Sequence, residues 1–251
     1  MTNKKKKIVV IQSRVGEEAA AAEQNAYRIL MTDAAALDCV STLDSALPWT
    51  TPEKILNGYD GMIIAGAADY YFDGAVPEDH PSRTETRVIL DRVSPLIAYA
   101  EEKSIPTLGV CFGHQLIAEV HGGRVKHDFV QKKTGSFKVH LTSVGKKDPI
   151  FGTLPDAFTV QYAHKDSVTE RPRGAQVLVD GPTCHFSVLR YGEAMYGVQF
   201  HPEHTAESLV SSLRRSMSYV PGGVTPESLV QESPEASRIV PLFVERVVRA
   251  G

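Results

Sequence analysis

No apolar run in this chain approaches the roughly 20 residues that a helix needs to span a bilayer, so membrane-spanning helices are not expected. The N-terminus has no apolar core of the kind that marks a secretory leader; the basic run Lys4-Lys5-Lys6-Lys7, read as a solvated tail, passes straight into Ile8-Val9-Val10-Ile11. Cysteine is scarce and odd in number. Cys39, Cys111 and Cys184 cannot make a disulfide framework, and they point to a reducing, cytoplasmic setting. Neither charge sign dominates: 27 Lys and Arg stand against 30 Asp and Glu, for a net charge of −3. A balance of this kind gives nucleic acid no electrostatic reason to bind. There is no Walker-type phosphate loop, no internal repeat and no low-complexity segment.

What remains is a soluble globular composition, with 42% apolar and 23% charged residues over 251 positions. The expected organisation is one domain over residues 1–251, with a core at about 8–215 and a C-terminal helical extension at 216–251. Lys7 to Gln12, Gly61 to Ala65, Pro106 to Val110 and Tyr196 to Phe200 are short continuous apolar runs of the type buried on both faces of a sheet. Helical signals lie between them at Glu17 to Met31, Ser82 to Lys103 (bent at Pro95) and Phe112 to His121, the last stopping at Gly122-Gly123. Thr205 is placed to cap a helix running to Met217. Ser136 to Thr142, Phe158 to Tyr162 and Ala175 to Val179 alternate and read as strands of a β-rich region. Val220 to Ser233 reads as a loop, and Pro234 opens a last helix that Pro241 kinks or breaks. The pattern predicts an α/β fold: a mostly parallel open sheet with helices on both faces, plus a small antiparallel β region.

Cys111 sits in Gly109-Val110-Cys111-Phe112-Gly113, between a strand and a helix. A nucleophile on a sharp strand-to-helix turn needs small residues two positions to either side, because larger ones would collide as the two elements converge. The helix N-terminus favours the thiolate, the form that attacks carbonyls. A lone cysteine can also be a buried structural residue, which is the reading for Cys39 and Cys184. Among nine histidines, His201 follows a buried strand, and Glu203, two residues on, projects to the same side across Pro202. Glu203 can fix the tautomer of the imidazole. Taken alone, His201 and Glu203 could equally be a surface pair. With His204 they could be metal ligands, but their spacing matches no standard zinc motif, and no metal is expected.

Four blocks in order resemble the class I (triad-type) glutamine amidotransferases. Gly109 to Leu116 with Gly122-Gly123 looks like the nucleophile block, and Gly197 to Glu203 like the histidine–glutamate block. Gly61 to Gly66 is similar to the strand and turn of the oxyanion loop, and Asp148-Pro149-Ile150-Phe151 through His164-Lys165-Asp166-Ser167-Val168 to the central block. The resemblance spans about residues 8 to 215, and the chain is similar to the glutaminase part of GMP synthases. It implies a flavodoxin-like amidotransferase fold, with Cys111 as nucleophile, His201 as base then acid, and Glu203 as its orienter. It further implies Gly66 and the N–H of Phe112 at the oxyanion, Gln115 at the glutamyl end, and backbone near Ala163 and His164 at the α-carboxylate. His164 and Asp166 belong at the pocket edge or form a plain loop pair.

The chain departs from the family pattern in two places. Gly66-Ala67-Ala68 stands where Gly-Gly-Pro is usual and is followed by the aromatic run Tyr70-Tyr71-Phe72, and Lys132 to Phe137 lacks the acidic residue often found there. The expected activity is hydrolysis of the γ-amide of glutamine through a cysteine thioester, without cofactor, the ammonia going to a separate synthetase partner. The alternative is a stand-alone hydrolase of γ-glutamyl peptides or amines, a larger substrate that the aromatic run favours. A binding domain without turnover is the third reading, and the intact Cys, His and Glu argue against it.

Overall fold

The computed structural model describes residues 5–31 and 34–248; Lys4 of the basic run lies outside them. Eleven strands are found among the described residues. In chain order they are β1 (Lys6–Gln12), β2 (Ala35–Ser41), β3 (Gly61–Ile64), β4 (Thr107–Val110), β5 (Arg124–His127), β6 (Lys133–Leu141), β7 (Ala157–His164), β8 (Asp166–Glu170), β9 (Gln176–Gly181), β10 (Cys184–Tyr191) and β11 (Met195–Val198). Nine of them form one sheet in the order β2-β1-β3-β4-β11-β10-β9-β6-β7, while β5 and β8 pair separately and antiparallel. From β2 to β11 the pairings are parallel; from β11 to β7 they are antiparallel. The antiparallel half is the β-rich region foreseen in the second part of the chain.

Alternation within the apolar runs explains why helices cover both faces. Ile8, Val10, Ile63 and Val110 pack with Tyr27 and Met31 of α1 (Glu17–Met31), and with Phe243 and Val244 near the C-terminus. Val9, Ile11, Met62 and Ile64 pack the other way, against Ile89, Val93 and Ile97 of α3 (Pro81–Glu102) and Leu116 and Ile117 of α4 (Phe112–Val120). Each such Ile or Val is essentially fully buried and contributes about 1.5–3 kcal/mol. Between β2 and β3 lies the short α2 (Pro52–Leu56). Pro95 sits inside α3 without ending it.

Thr205 caps α5 (Ala206–Arg215), its side chain accepting from the Ser208 N–H at 3.2 Å. Beyond residue 215 the described residues make a 3-10 turn (Met217–Tyr219) and three short α-helices, α6 (Pro226–Leu229), α7 (Pro234–Ser237) and α8 (Ile239–Phe243), followed by one π-helical turn, Val244–Val248. Ile239, Val240 and Phe243 are fully buried, so this segment completes a face of the core. Among the described residues no helix is long and apolar enough to cross a membrane.

Register decides what emerges at the sheet's edge. Ile64 is opposite Gly109, and Val110 is opposite Val198. The carboxyl ends of β3, β4 and β11 are therefore level, and Gly66, Cys111 and His201 leave the sheet side by side.

Candidate active site

Cys111 joins β4 to α4 with φ +50° and ψ −100°, a conformation rarely adopted by residues other than glycine. Its N–H donates to the Val198 carbonyl at 2.7 Å, which ties the turn to β11. The flanking glycines are enforced by contact. A Cβ on Gly109 would lie 2.6 Å from the Gly113 oxygen, and one on Gly113 would lie 2.0 Å from the Ile64 oxygen. Strand and helix thus converge at backbone distance. The strained residue between them is pushed out at the start of α4, where N–H groups have no partner within the helix.

The His201 N–H donates to the Gln161 carbonyl of β7 at 2.7 Å, and Nδ1 meets Oε1 of Glu203 at 2.7 Å. Gly66 lies against both groups: a Cβ there would come 3.1 Å from His201 Cε1 and 3.6 Å from Cys111 Cβ. Burial works against charge on His201, but the charges of Glu203 and Cys111 outweigh it and raise the imidazole well above its ordinary value. Glu203, equally buried, is held below the usual carboxylate range by His201. The arrangement is an imidazolium held between a carboxylate and a thiol. Its neutral form can take a proton from a nucleophile, and the imidazolium can hand one to a leaving group.

The remaining expected residues fall around this centre. The Ala163 carbonyl lies 3.9 Å from Cys111 Sγ. Phe112 opens α4, with Tyr70 and Phe72 packed on its ring at 6.2 and 5.9 Å. Two of the three aromatics read as favouring a larger substrate are thus engaged with the elbow itself. Gln115 donates from Nε2 to the Asp166 carbonyl at 2.7 Å and to Gln199 Oε1 at 3.2 Å, so its amide braces the site's floor. His164 is buried with Nδ1 on the Asp166 carbonyl at 2.9 Å. Asp166 accepts from the N–H groups of Asp73 and Gly74 at 2.9 and 2.7 Å, which anchors the loop that follows Gly66.

Three neighbours are absent from the sequence reading. Gln199 reaches Cys111 Sγ with Nε2 at 3.6 Å; it sits two residues before His201, the spacing that could have flagged it. Arg14 lies beside Gly66 and is paired with the buried Glu23 at 2.7 Å. Burial opposes its charge, but the carboxylate overrides that and holds it firmly protonated. Tyr219 donates to the Ala68 carbonyl at 2.9 Å.

His201, Glu203 and His204 offer ligand atoms within 4.8 Å of one another. The 2.7 Å His201–Glu203 contact is a hydrogen bond, shorter than the ~3.3 Å that separates two donors on one tetrahedral zinc. His204 Nδ1 is engaged with Ser208 Oγ at 3.0 Å.

Burial keeps three other imidazoles neutral: His114 and His164 are pulled down to about 3, and His204 to about 4. The unfolded chain takes up these protons near the ordinary histidine value, whereas the folded chain does not until well below it. Stability should therefore fall as pH drops from 6.5 toward 4, by up to about 1.4 kcal/mol per pH unit for each imidazole. His201 does not offset this, because the stability from its raised value is complete below 6.5 and is lost only as pH rises above it. Urea midpoints at pH 7, 6 and 5 check the slope; a flat series would contradict it.

A sequence model described as "Glutamine amidotransferase class-I" matches residues 45–215. A glutamine-hydrolysing GMP synthase subunit from Archaeoglobus fulgidus is 31% identical over 155 residues, covering 61% of this chain and 72% of that one. Its counterpart in Methanothermobacter thermautotrophicus is 34% identical over 166 residues, covering 64% and 76%. The crystal structure of a glutamine amidotransferase from Thermotoga maritima superposes with a TM-score of 0.70 over 97% of this chain and 98% of that one, at 22% identity, a likeness of fold.

Proposed function

The chain belongs to the class-I glutamine amidotransferase family, and from that premise we propose that it hydrolyses the γ-amide of glutamine with Cys111, His201 and Glu203 as its triad. The observation that carries this reading is the strained Cys111 elbow, which lies against the same Gly66 as an imidazole that Glu203 holds at 2.7 Å.

The thiolate of Cys111 attacks the γ-carbonyl, and the oxygen takes the electron pair. Backbone N–H groups at Phe112 and Gly66 face that oxyanion, each worth on the order of 3 kcal/mol. His201 gives its proton to the departing nitrogen, the C–N bond breaks, and ammonia leaves a γ-glutamyl thioester. The neutral imidazole then takes a proton from water, whose oxygen attacks the thioester, and glutamate and thiolate are released. Glu203 keeps the imidazole oriented throughout. His164 and Ala163 flank the glutamyl chain, and Gln115 supports them through the Asp166 carbonyl.

The relatives named as one subunit of a GMP synthase support an acceptor on a separate synthetase chain, to which the ammonia passes. No cofactor takes part in the half-reaction proposed, and the setting proposed is the cytoplasm. The domain proposed is a single one over residues 1–251.

The test is glutamate release by the purified chain from glutamine and from a panel of γ-glutamyl peptides and amines, beside a Cys111→Ala control. Cys111-dependent release from glutamine, with equimolar ammonia, is expected. Release confined to γ-glutamyl peptides or amines would replace this reading with a stand-alone hydrolase. Release that persists in the control would overturn the triad.

A further inference from the structure

A cavity of about 430 Å³ lies at the carboxyl end of β7, one residue beyond the Ala163 carbonyl that meets Cys111 Sγ, and its walls carry Lys132, Lys133, Lys165, His127 and His164 but no Asp or Glu. In a chain of net charge −3 this concentration of one sign is unusual. None of the three ammonium groups has a carboxylate within 4.0 Å among the described residues. Lys165 Nζ is held 4.8 Å above the rings of both Tyr71 and Tyr219 and donates to Tyr71 Oη at 3.2 Å. Lys133, 8% exposed, donates to Thr183 Oγ1 and faces the ring of Phe137 at 4.9 Å. Lys132 stands 5.3 Å over Phe129.

Neutral hydroxyls and aromatic faces hold these cations in place without cancelling their charge. The nearby acids are committed elsewhere. Asp166 is buried against the Asp73 and Gly74 N–H groups, and Asp128 accepts from Val130 and Gln131 within its own turn. Buried His164 donates from Nδ1 to a carbonyl, so its Nε2, which has no partner among the described residues, is a bare acceptor. A wall of three uncompensated cations and one orphan acceptor is a built site for an anion that also bears an N–H.

Its position follows from β7 and the residues after it. Gln161 holds His201, Ala163 touches Cys111 Sγ at 3.9 Å, and His164 and Lys165 line the cavity. β7 and the residue after it thus lead from the base, past the nucleophile, to the cavity. The leaving nitrogen must face the base, so the rest of the glutamyl chain extends toward the lysines.

Resting on the glutaminase reading for that direction, we propose that the Lys132–Lys133–Lys165 cavity is an anion subsite for the α-end of the amide donor, and that the favoured donor carries two carboxylates there, where glutamine has the single α-carboxylate. The missing acidic residue between Lys132 and Phe137 is then part of the specificity.

The test measures binding and turnover separately. Calorimetry on Cys111→Ala protein compares glutaminyl-glutamate with glutaminyl-alanine at low salt. We expect the acidic dipeptide to bind at least about tenfold more tightly, the advantage to shrink with added salt, and to vanish when Lys132→Gln and Lys165→Gln are added. A ratio within twofold, or one that survives the lysine changes, overturns the proposal. So does glutarate or inorganic phosphate, added in trans, raising glutamine turnover through the same lysines without any dipeptide preference, because the cavity would then serve a separate anion. Ammonia release by the Cys111 protein is read independently: preference in binding with no turnover of any donor would sink the catalytic reading and leave the subsite standing.

Discussion

Cys111→Ala is expected to lower glutamate release from glutamine by at least about three orders of magnitude, with the protein still folded. The fold should survive because the substitution keeps Cβ, and with it the steric frame of the elbow. Alanine meets the same φ of +50° at the same cost. Sγ itself is loosely held, 3.6 Å from Gln199 Nε2 and 3.9 Å from the Ala163 carbonyl, so its removal leaves no strong hydrogen bond unmade. Activity has no such reserve. His201 can polarise water, but without sulfur there is no thioester, and the reaction must proceed in one difficult step. Steady-state rates together with near-UV circular dichroism decide the matter. Residual activity within tenfold of the parent, with native dichroism, would mean that another group attacks the amide.

Gly113→Ala should cost more than 3 kcal/mol of stability, or prevent folding altogether. The added methyl would sit 2.0 Å from the carbonyl oxygen of Ile64 and 3.0 Å from its Cβ. Ile64 is in β3, a strand paired on both sides, so it cannot retreat. Helix α4 would have to lift, carrying Cys111 and the Phe112 N–H with it. Gly122→Ala is the control. Its φ of +76° strains alanine, but open space surrounds it, so it should lose only about 1 kcal/mol. Urea midpoints for the two variants separate steric collision from backbone preference. Similar losses would mean that the helix and strand approach each other less closely than described.

Legibility of the fold tracked burial. Lys7 to Gln12, Gly61 to Ala65, Pro106 to Val110 and Tyr196 to Phe200 stood out because strands covered on both faces need apolar residues at every position. β2 did not stand out: it lies at the sheet's edge, where Asp38 can face water and the pattern becomes irregular. β10 hid behind Ser187 and Arg190, whose side chains are answered by distant partners, Tyr162 Oη at 2.5 Å and Asp148 at 2.8 Å.

The candidate site divides in the same way. Cys111 betrayed itself through glycine spacing, a local steric demand, and His201 with Glu203 through their place at a strand's end. Arg14, Gln199 and Tyr219 take their meaning from contacts made only when far segments meet, and no local pattern announces such contacts. The aromatic run Tyr70-Tyr71-Phe72 was legible as unusual. Its division between the elbow and Lys165 depends on which way each ring turns.

The place of β11 carries a consequence for the protein's birth on the ribosome. It is the middle strand of nine, yet it is the last strand among the described residues. Cys111 is synthesised ninety residues before His201 (111 to 201). At ordinary elongation rates of about 5–20 residues per second, the cysteine therefore waits roughly 5 to 18 seconds without its base. Only once β10 (Cys184–Tyr191) has been made, ten residues before His201 (191 to 201), are both neighbours of the last strand present, β4 on one side and β10 on the other. Insertion of the final strand closes the sheet and brings the imidazole to the sulfur in a single event, so a nascent chain stalled before that strand emerges would be catalytically silent.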